Sequence, residues 1–419
     1  MYCKSNFIIV LLFMTLTLQA QEVLTLETCY SLAEKNHPLK PKIGLLQSQN
    51  ELEQDILSIN KLPKFDLAGQ ATYQSDVVQV PISLPTQEIE PPNKEQYKAT
   101  FTASQLIYNG GLIEAQQKSK KADIEAMKQE VIVQVHQLKS QINQLYFSVL
   151  LFDQTTLVLE KNIDQLQEKI KEIERLIKNG IAPENAADPL LMKLLELHQK
   201  NIELRANRGE LLNKLGLLIG KSVTDATQLD LPQVYISEHQ NQRPELTLFE
   251  LQKKVVLSNT EILKKKNYPR ISAFGTGGIG NPGLNVLDNS LQEFYLVGAK
   301  IQWNFFDWSS AKKQAQALII NKEIIDAQKD VFEWKQNIAA NAMQADIEKY
   351  NTLLQSDEQL ISLQRKIVET AAKQLKHDLI TTADYTLEIN KLLETEINQK
   401  RHEIQKLLAK ANYRITLFE

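Results

Sequence analysis

The sequence predicts a mainly α-helical chain carrying a pair of β-hairpins, and three observations predict it. The chain is one unit written twice. Very long stretches carry an apolar repeat of about 3.5 residues, and in each copy the apolar period switches once to two. Residues 37–69 align without a gap on 243–275 at a constant offset of 206, so that Leu62-Pro63-Lys64-Phe65 meets Tyr268-Pro269-Arg270-Ile271. Residues 106–220 align on 304–418 at an offset of 198, where Lys193-Leu194-Leu195-Glu196 meets Lys391-Leu392-Leu393-Glu394. The offset changes only between Pro63 and Tyr108, where the first copy is longer by 8 residues. A length change confined there marks a loop at the end of a hairpin, where insertions are tolerated. A tandem duplication of this size is an architectural statement.

Residues 1–20 read as an export signal: Lys4 supplies the positive charge, Phe7 to Leu18 is apolar, and Ala20 is a small residue before the cut. The mature chain then starts near Gln21. The apolar run is too short to span a bilayer, and no later segment approaches the length a transmembrane helix needs. Membrane crossing, if any, has to be by a β-barrel. Cys3 leaves with the signal and Cys29 has no partner, so no disulfide framework is expected.

The first repeat covers 21–220. Thr25 is a good N-cap for a helix ending at His37-Pro38, and a second helix runs from about Lys40 to Asn60. Two strands follow, over about 64–80 and 95–107. Phe65, Leu67, Gly69, Ala71 and Tyr73 alternate with Asp66, Ala68, Gln70 and Thr72; after a Pro-rich stretch, Tyr97, Ala99, Phe101 and Ala103 alternate with Lys98, Thr100, Thr102 and Ser104. This is a hairpin with one apolar and one polar face. Asn109 to Lys178 reads as one long helix. Val131, Val135, Leu138, Ile142, Leu145, Val149, Phe152, Thr156, Leu159, Ile163, Leu166, Ile170, Ile173 and Ile177 step by 4 and 3 in turn, the seam of a left-handed supercoil. A turn over 179–188 carries Gly180 at a C′ position and Asp188-Pro189 as N-cap and first helical residue. A return helix follows.

Residues 221–241 form a short irregular linker. The second repeat, 242–419, has strands over about 270–280 and 293–306, a long helix over 307–376 with a looser seam (Ala340, Met343, Ile347, Tyr350, Leu354), a turn over 377–384 and a return helix. Tyr295, Val297, Ala299, Ile301, Trp303 and Phe305 share the apolar face of the returning strand against Lys300, Gln302 and Asn304. Each strand is about 10 residues long, enough to cross a bilayer when tilted. The competing reading of the hairpins is a half-buried sheet on a soluble core.

A net charge of −3 argues against nucleic acid as the main partner. The six histidines show no metal-ligand spacing with one another or with Cys, and they read as surface or packing residues. Gly275-Thr276-Gly277-Gly278-Ile279-Gly280 lacks the βαβ context of a nucleotide loop, and its glycines thin a strand or its turn. Nothing in the chain points to an enzyme, a cofactor or a metal.

Leu32-Ala33-Glu34-Lys35-Asn36-His37-Pro38, the helix-to-strand prolines Pro63 and Pro269, and the strand-to-helix junctions Gln105-Leu106-Ile107-Tyr108-Asn109-Gly110-Gly111 and Trp303-Asn304-Phe305-Phe306-Asp307, in this order and repetition, resemble the TolC family of outer-membrane efflux proteins. The resemblance covers essentially the whole mature sequence. It implies a homotrimer in the outer membrane of a Gram-negative bacterium, with most of the chain in the periplasm. Four strands per chain are too few to close a barrel, whereas three chains supply 12. The helices would form a hollow α-barrel. The implied partners are outer-membrane lipid, a periplasmic adaptor protein, and an inner-membrane transporter of the resistance–nodulation–division or ABC type. Gln70, Thr72, Thr100, Thr102, Lys300 and Gln302 would line the pore, and Leu67, Tyr73, Phe101, Val297 and Trp303 would face lipid. Acidic residues after the second helix turn ring the entrance in relatives. Asp384 stands at the matching place; the usual second acid is Leu387 here, so the ring is reduced or shifted to Glu388. Glu184 and Asp188 occupy the first-copy turn. All four acids are also what a helix N-terminus favours. A periplasmic or surface coiled-coil scaffold or adhesin without a pore is the alternative.

Overall fold

The computed structural model describes residues 23–78, 91–235 and 243–417. The expected export signal lies outside them, as do parts of the first hairpin loop and of the linker. In chain order the elements are β1 (Val23–Leu24), α1 (Leu26–Asn36), α2 (Lys40–Ile59), β2 (Lys64–Tyr73), β3 (Glu95–Tyr108), α3 (Leu112–His136), α4 (Leu138–Lys178), a 3-10 turn (Glu184–Ala187), α5 (Asp188–Ile219), β4 (Gln228–Leu229), α6 (Pro244–Lys266), β5 (Arg270–Asn281), β6 (Gln292–Gln302), α7 (Ser310–Lys376) and α8 (Thr382–Leu417). They fall into two compact units. Among the described residues, one comprises 38–78, 91–134 and 243–336; the other comprises 23–37, 135–235 and 337–417.

In the first of these units, β2, β3, β5 and β6 form one antiparallel sheet in that order, so the two hairpins join through β3 and β5 and leave β2 and β6 as open edges. The β2 ladder ends at Lys64 opposite Ser104, and Gln105 to Tyr108 are strand only because β5 pairs with them. Two expected strands are shorter than their alternation suggested. β2 stops at Tyr73, before the Pro-rich loop, rather than reaching 80. β6 stops at Gln302, so Trp303 to Phe306 are extended in sequence pattern but have no neighbouring strand to pair with.

The second unit is built on α4. Its seam residues from Val135 to Ile177 are all buried or half-buried. One end packs Ile142, Tyr146, Phe147 and Leu150 against Cys29 and Tyr30 of α1, Leu215 and Ile219 of α5, and Ile404, Ala411 and Ile415 of α8. The other end packs Leu159, Ile163, Leu166, Ile170 and Ile173 against Leu190 and Leu197 of α5, Ala371 and Leu375 of α7, and Tyr385 and Leu393 of α8. The expected single helix over 109–178 is interrupted at Gln137. Its φ of −61° and ψ of −21° are close to 3-10 values, which breaks the α ladder for one residue. The seam crosses that break in phase, from Val135 to Leu138.

The linker is more ordered than its composition indicated. β4 pairs in parallel with β1, Val23 opposite Gln228 and Leu24 opposite Leu229. The buried Tyr146 hydroxyl lies 2.9 Å from the Leu24 carbonyl and 2.7 Å from that of Asp230, holding the small ladder against α4. Burial raises the Tyr146 pKa, keeping it a donor. Burial also pushes the Cys29 thiol up to about 12, against a smaller opposing effect of Lys221, so it packs as a small apolar group.

Both long helices end in the same way. Gly180 N–H donates to the Ile177 carbonyl at 2.9 Å and Ile181 N–H to that of Leu176 at 2.9 Å. In the second copy Asp378 N–H donates to Leu375 at 3.1 Å and Leu379 N–H to Gln374 at 3.0 Å. These are paired Schellman closures with the C′ residue left-handed, φ +68° at Gly180 and +54° at Asp378. A Cβ added at Gly180 would meet nothing within 4 Å, so substitution there costs backbone strain alone. Gly180→Ala is therefore expected to lower stability by about 1 kcal/mol, and Asp378→Gly to raise it by a similar or smaller amount. Chemical unfolding of the two variants beside the parent checks both signs.

Candidate functional site

Two regions carry the candidate residues: the sheet, and the turns joining the long helices to their returns. In the sheet, register decides which side chains share a face. Gln70 stands opposite Lys98, Thr72 opposite Gln96, Thr100 opposite Ala68 and Gly278, Thr102 opposite Asp66 and Thr276, Lys300 opposite Ser272, and Gln302 opposite Arg270. All six expected polar positions therefore lie on one face. The Thr102 and Thr276 hydroxyls are 3.0 Å apart across the β3–β5 seam. On the other face Leu67 stands opposite Phe101, which faces Gly277 and through it Tyr295. Val297 stands opposite Gly275, and Tyr73 opposite Glu95. The Phe65 and Phe101 rings stack with centroids 5.9 Å apart. Trp303 is one residue past β6, its indole N–H donating to the Asn267 carbonyl at 3.1 Å, so strand geometry does not assign it to a face.

The apolar face is uncovered: Leu67 is 83% exposed, Val297 74% and Tyr73 73%. A sheet packed on its own soluble core would bury these side chains, so the soluble-core reading of the hairpins does not describe this chain. The polar face is less uniform than the alternation suggested. It also carries Phe274, Phe294 and Leu296. The Phe294 ring crosses Gly278 and the Phe274 ring crosses Gly298, close enough that a Cβ at either glycine would lie about 3 Å from ring carbon. Lys98 Nζ sits 4.8 Å from the Phe294 centroid. These rings were missed because an aromatic residue in a strand is read as apolar-face by default; the opposed glycines were the available signal.

An aromatic cluster gathers where β6 leads into α7. Trp303, Phe305, Phe306 and Trp308 are all exposed, with Phe306 and Trp308 edge to face at 4.8 Å. Trp308 and Ser309 adopt φ of +53° and +60°, the left-handed conformation that Gly110 and Gly111 take in the first copy.

At the second turn, Asp384 Oδ2 accepts from the Thr381 N–H at 3.0 Å and the Thr381 hydroxyl at 2.7 Å, while Asp384 N–H donates to Thr381 Oγ1 at 3.2 Å. That reciprocal pair is a capping box starting α8. Thr381's hydroxyl and N–H hold the Asp384 carboxyl below its usual pKa. Glu388 turns back along the hairpin, accepting from Lys391 Nζ at 2.8 Å and Gln364 Nε2 at 2.8 Å; these contacts lower its pKa, Lys391 contributing most. Asp384, Leu387 and Glu388 line one open groove with Leu363, Ile367 and Ile380, of about 670 Å³. Glu184 and Asp188 are exposed at the first turn. Asp188 is not the N-cap expected of it: the 3-10 turn carries the chain into α5, leaving Ala187 at the cap and Asp188 as the first helical residue. Tyr385, buried between α8 and α4 with Lys169 5.5 Å over its ring, anchors the second turn and had no sequence signal beyond its apolar spacing.

Among the described residues, no group of three or more His, Cys, Asp or Glu stands together as a metal site, and no helix is long and apolar enough to cross a membrane. His402 is spent on Asp357, 2.7 Å away and buried.

No family model and no curated protein sequence matches the chain. Solved structures do. CusC, a protein that forms a transmembrane channel, superposes with a TM-score of 0.68 at 12% identity, over 93% of this chain and 91% of CusC. The outer membrane protein VceC of Vibrio cholerae gives 0.66 at 13% identity, covering 93% and 95%. The open state of the Neisseria gonorrhoeae MtrE outer membrane channel gives 0.66 at 13%, covering 93% and 88%. The chain thus shares the fold of these channels over 93% of its length.

The Asp384 cap generates a pH prediction. A carboxyl whose folded pKa is depressed stabilises above its unfolded pKa, and that contribution is lost as pH falls through the folded value. Asp384→Ala is expected to speed amide exchange in the first turn of α8 at pH 7, and the difference from the parent should close once the medium is acidified below the ordinary carboxylate range. Equal exchange at neutral pH would dismiss the cap.

Proposed function

We propose that the chain is the outer-membrane channel of a tripartite efflux or type I secretion system, a homotrimeric exit duct fed by a periplasmic adaptor and an inner-membrane transporter of the resistance–nodulation–division or ABC class. The observation carrying this reading is the bilayer-length sheet with an uncovered apolar face, a polar opposite face and two open edges. In hydrocarbon the apolar face is favoured by about 1.5–3 kcal/mol for each large side chain removed from water, while each unpaired edge group costs several kcal/mol. The first term favours insertion; the second requires closure by further copies. The fold shared with outer-membrane channels supports the same answer.

Helix surfaces support self-association. Leu45, Leu52, Ile56 and Ile59 form an exposed apolar stripe on α2, Ile320, Ile324, Val331 and Trp334 one on α7, and Met192, Leu195 and Ile202 one on α5. Stripes of this kind on otherwise charged helices mark surfaces that a neighbour covers. The exposed aromatic cluster at Trp303 to Trp308 suits the bilayer interface, where amphipathic rings collect. The duct is passive: its residues supply a wetted path, and the inner-membrane pump supplies energy. Asp384 and the groove beside it are proposed as part of the periplasmic entrance, with Glu388, Glu184 and Asp188 as flanking acids.

Outer-membrane fractionation, heat-modifiable migration as a trimer and conductance steps in planar bilayers are the expected results. Extraction without detergent, together with absence of conductance, would instead favour the scaffold reading. The polar face carries Lys64, Lys98, Arg270 and Lys300 against Asp66. Reversing two of them, Lys98→Glu with Lys300→Glu, is expected to shift the reversal potential in a salt gradient toward cation preference. An unchanged potential would mean that this face does not border the conducting path.

A further inference from the structure

An apolar patch that belongs to one copy of the repeat interrupts the polar face of the sheet. Phe294 stands opposite Gly278, Leu296 opposite Thr276 and Phe274 opposite Gly298, so the three lie in successive same-face pairs across β5 and β6. A Cβ at Gly278 would meet the tip of the Phe294 ring at 3.0 Å, and one at Gly298 the tip of the Phe274 ring at 2.9 Å. Each ring therefore lies along the sheet over the neighbouring strand instead of standing up from it. Both are half-buried, and Leu296 between them is 49% exposed. The ladders of the two copies match at offsets of 206 and 198: Ala68–Thr100 becomes Phe274–Gly298, and Thr72–Gln96 becomes Gly278–Phe294. The first copy thus builds the same ladder with Ala68, Gln96 and Lys98 where the second has Phe274, Phe294 and Leu296. The fold does not require the patch.

Positive charge surrounds it. The strand residues of this face carry Lys64, Lys98, Arg270 and Lys300 against Asp66, in a chain whose net charge is −3. Lys98 stands one same-face pair beyond Phe294 toward the hairpin loops, its Nζ 4.8 Å from the ring centroid. Lys300 stands one same-face pair beyond Phe274 toward the helices, and it is exposed. Each phenylalanine is therefore matched with one lysine. The two stations lie about 13 Å apart along the strands, at roughly 3.3 Å per residue, with Leu296 midway.

We propose that this diagonal is a cargo track and that its cargo is an organic anion with a flat apolar body, of the arenesulfonate or aromatic carboxylate class. The assignment rests on the channel reading above and names what the duct carries. A cleft lined by one sign of charge concentrates counter-ions, so the lysines alone would favour any anion and disfavour cations. The rings and Leu296 add an apolar contact that a bare inorganic anion does not use. An apolar surface with a few placed charges is the usual composition of a small-molecule site. Two like stations in series let the cargo pass from Lys300 and Phe274 to Phe294 and Lys98 without a single tight stop.

Blocking of single-channel current in planar bilayers by small probes tests this on the full chain. Naphthalene-2-sulfonate should interrupt the current at a concentration at least about tenfold below methanesulfonate, the margin expected of aromatic contacts, and 2-naphthylmethylammonium should not match it. Phe274→Ala with Phe294→Gln installs the first-copy residues, and it should bring naphthalene-2-sulfonate up to the methanesulfonate level. Lys300→Gln keeps both rings; it should raise the half-blocking concentration severalfold at low salt and by less at about 1 M, where charges are screened within roughly 3 Å. Heat-modifiable migration establishes that each variant is folded. Equal block by the two sulfonates in the parent, block by the ammonium as strong as by the arenesulfonate, or a folded ring variant that retains the parent's block overturns the cargo class and leaves the channel standing. A parent protein that never conducts removes both.

Discussion

Two rows of unpaired backbone groups, along β2 and β6, are the constraint on which the rest of the structure depends. Backbone N–H and C=O groups need partners wherever water is excluded. This sheet has an apolar face that no helix covers, which is tolerable only in an apolar medium. In that medium open edges are not tolerable. If the sheet lies in such a medium, as proposed above, the pattern of the hairpins calls for assembly before any helix is considered. On the channel reading proposed above, alternation sets a face toward lipid, lipid forbids an edge, and four strands cannot remove their own edges.

The helices answer a different requirement. A long helix needs something to pack on along its whole length, and α4 supplies it with a seam repeating every seven residues. The buried faces of α5 and α8 both meet it, and α7 adds Ala371 and Leu375 near the turns. A seam of this period keeps contact only if the helices wind about one another. Yet much apolar surface is left over, on α2, α5 and α7. Interior burial accounts for the first kind of stripe, and the association proposed above would account for the second. Both are written in the same residue types, which is why helical patterning alone does not distinguish a solid coil from a hollow one.

Much of the architecture was legible. The repeat led to the expectation of a hairpin in each copy; both are present, and their ladders match at the offsets of 206 and 198. Thr25 caps α1, accepting from the Thr28 N–H at 3.2 Å, and Gly180 closes α4 in the left-handed conformation. Local chemistry determines these features, so a single sequence suffices. The failures have the opposite character. β1 and β4 are two residues each and are far apart in sequence, joined by a tyrosine hydroxyl that no pattern announces. Gln137 breaks a helix without glycine or proline. β6 ends early because strand structure needs a neighbour, and alternation reports only what the residues would do with one. At the turn, Asp188 follows a 3-10 segment that the sequence did not signal, whereas Asp384 took up a capping box with Thr381, so that the residue expected at the entrance also starts α8.

Comparing the two copies with each other separates what the architecture requires from what one copy adds. Both turns close with the same pair of hydrogen bonds, although one has glycine at the left-handed position and the other aspartate. Both strand-to-helix junctions put two successive residues in the left-handed region, glycines in one and Trp308-Ser309 in the other. The left-handed conformation costs a residue with a Cβ about 1–2 kcal/mol, and glycine at 110 and 111 shows that the chain can make the junction without it. Such strain persists only where surrounding contacts hold it. Trp308 is 81% exposed, and its ring packs on Phe306 at the surface, not on a core. Contacts within one chain therefore leave its position poorly compensated. A bilayer interface would supply the missing stabilisation, since a large amphipathic ring gains there what it cannot gain in water. On that account the second copy carries an anchor that the first, with glycines at the same place, does not.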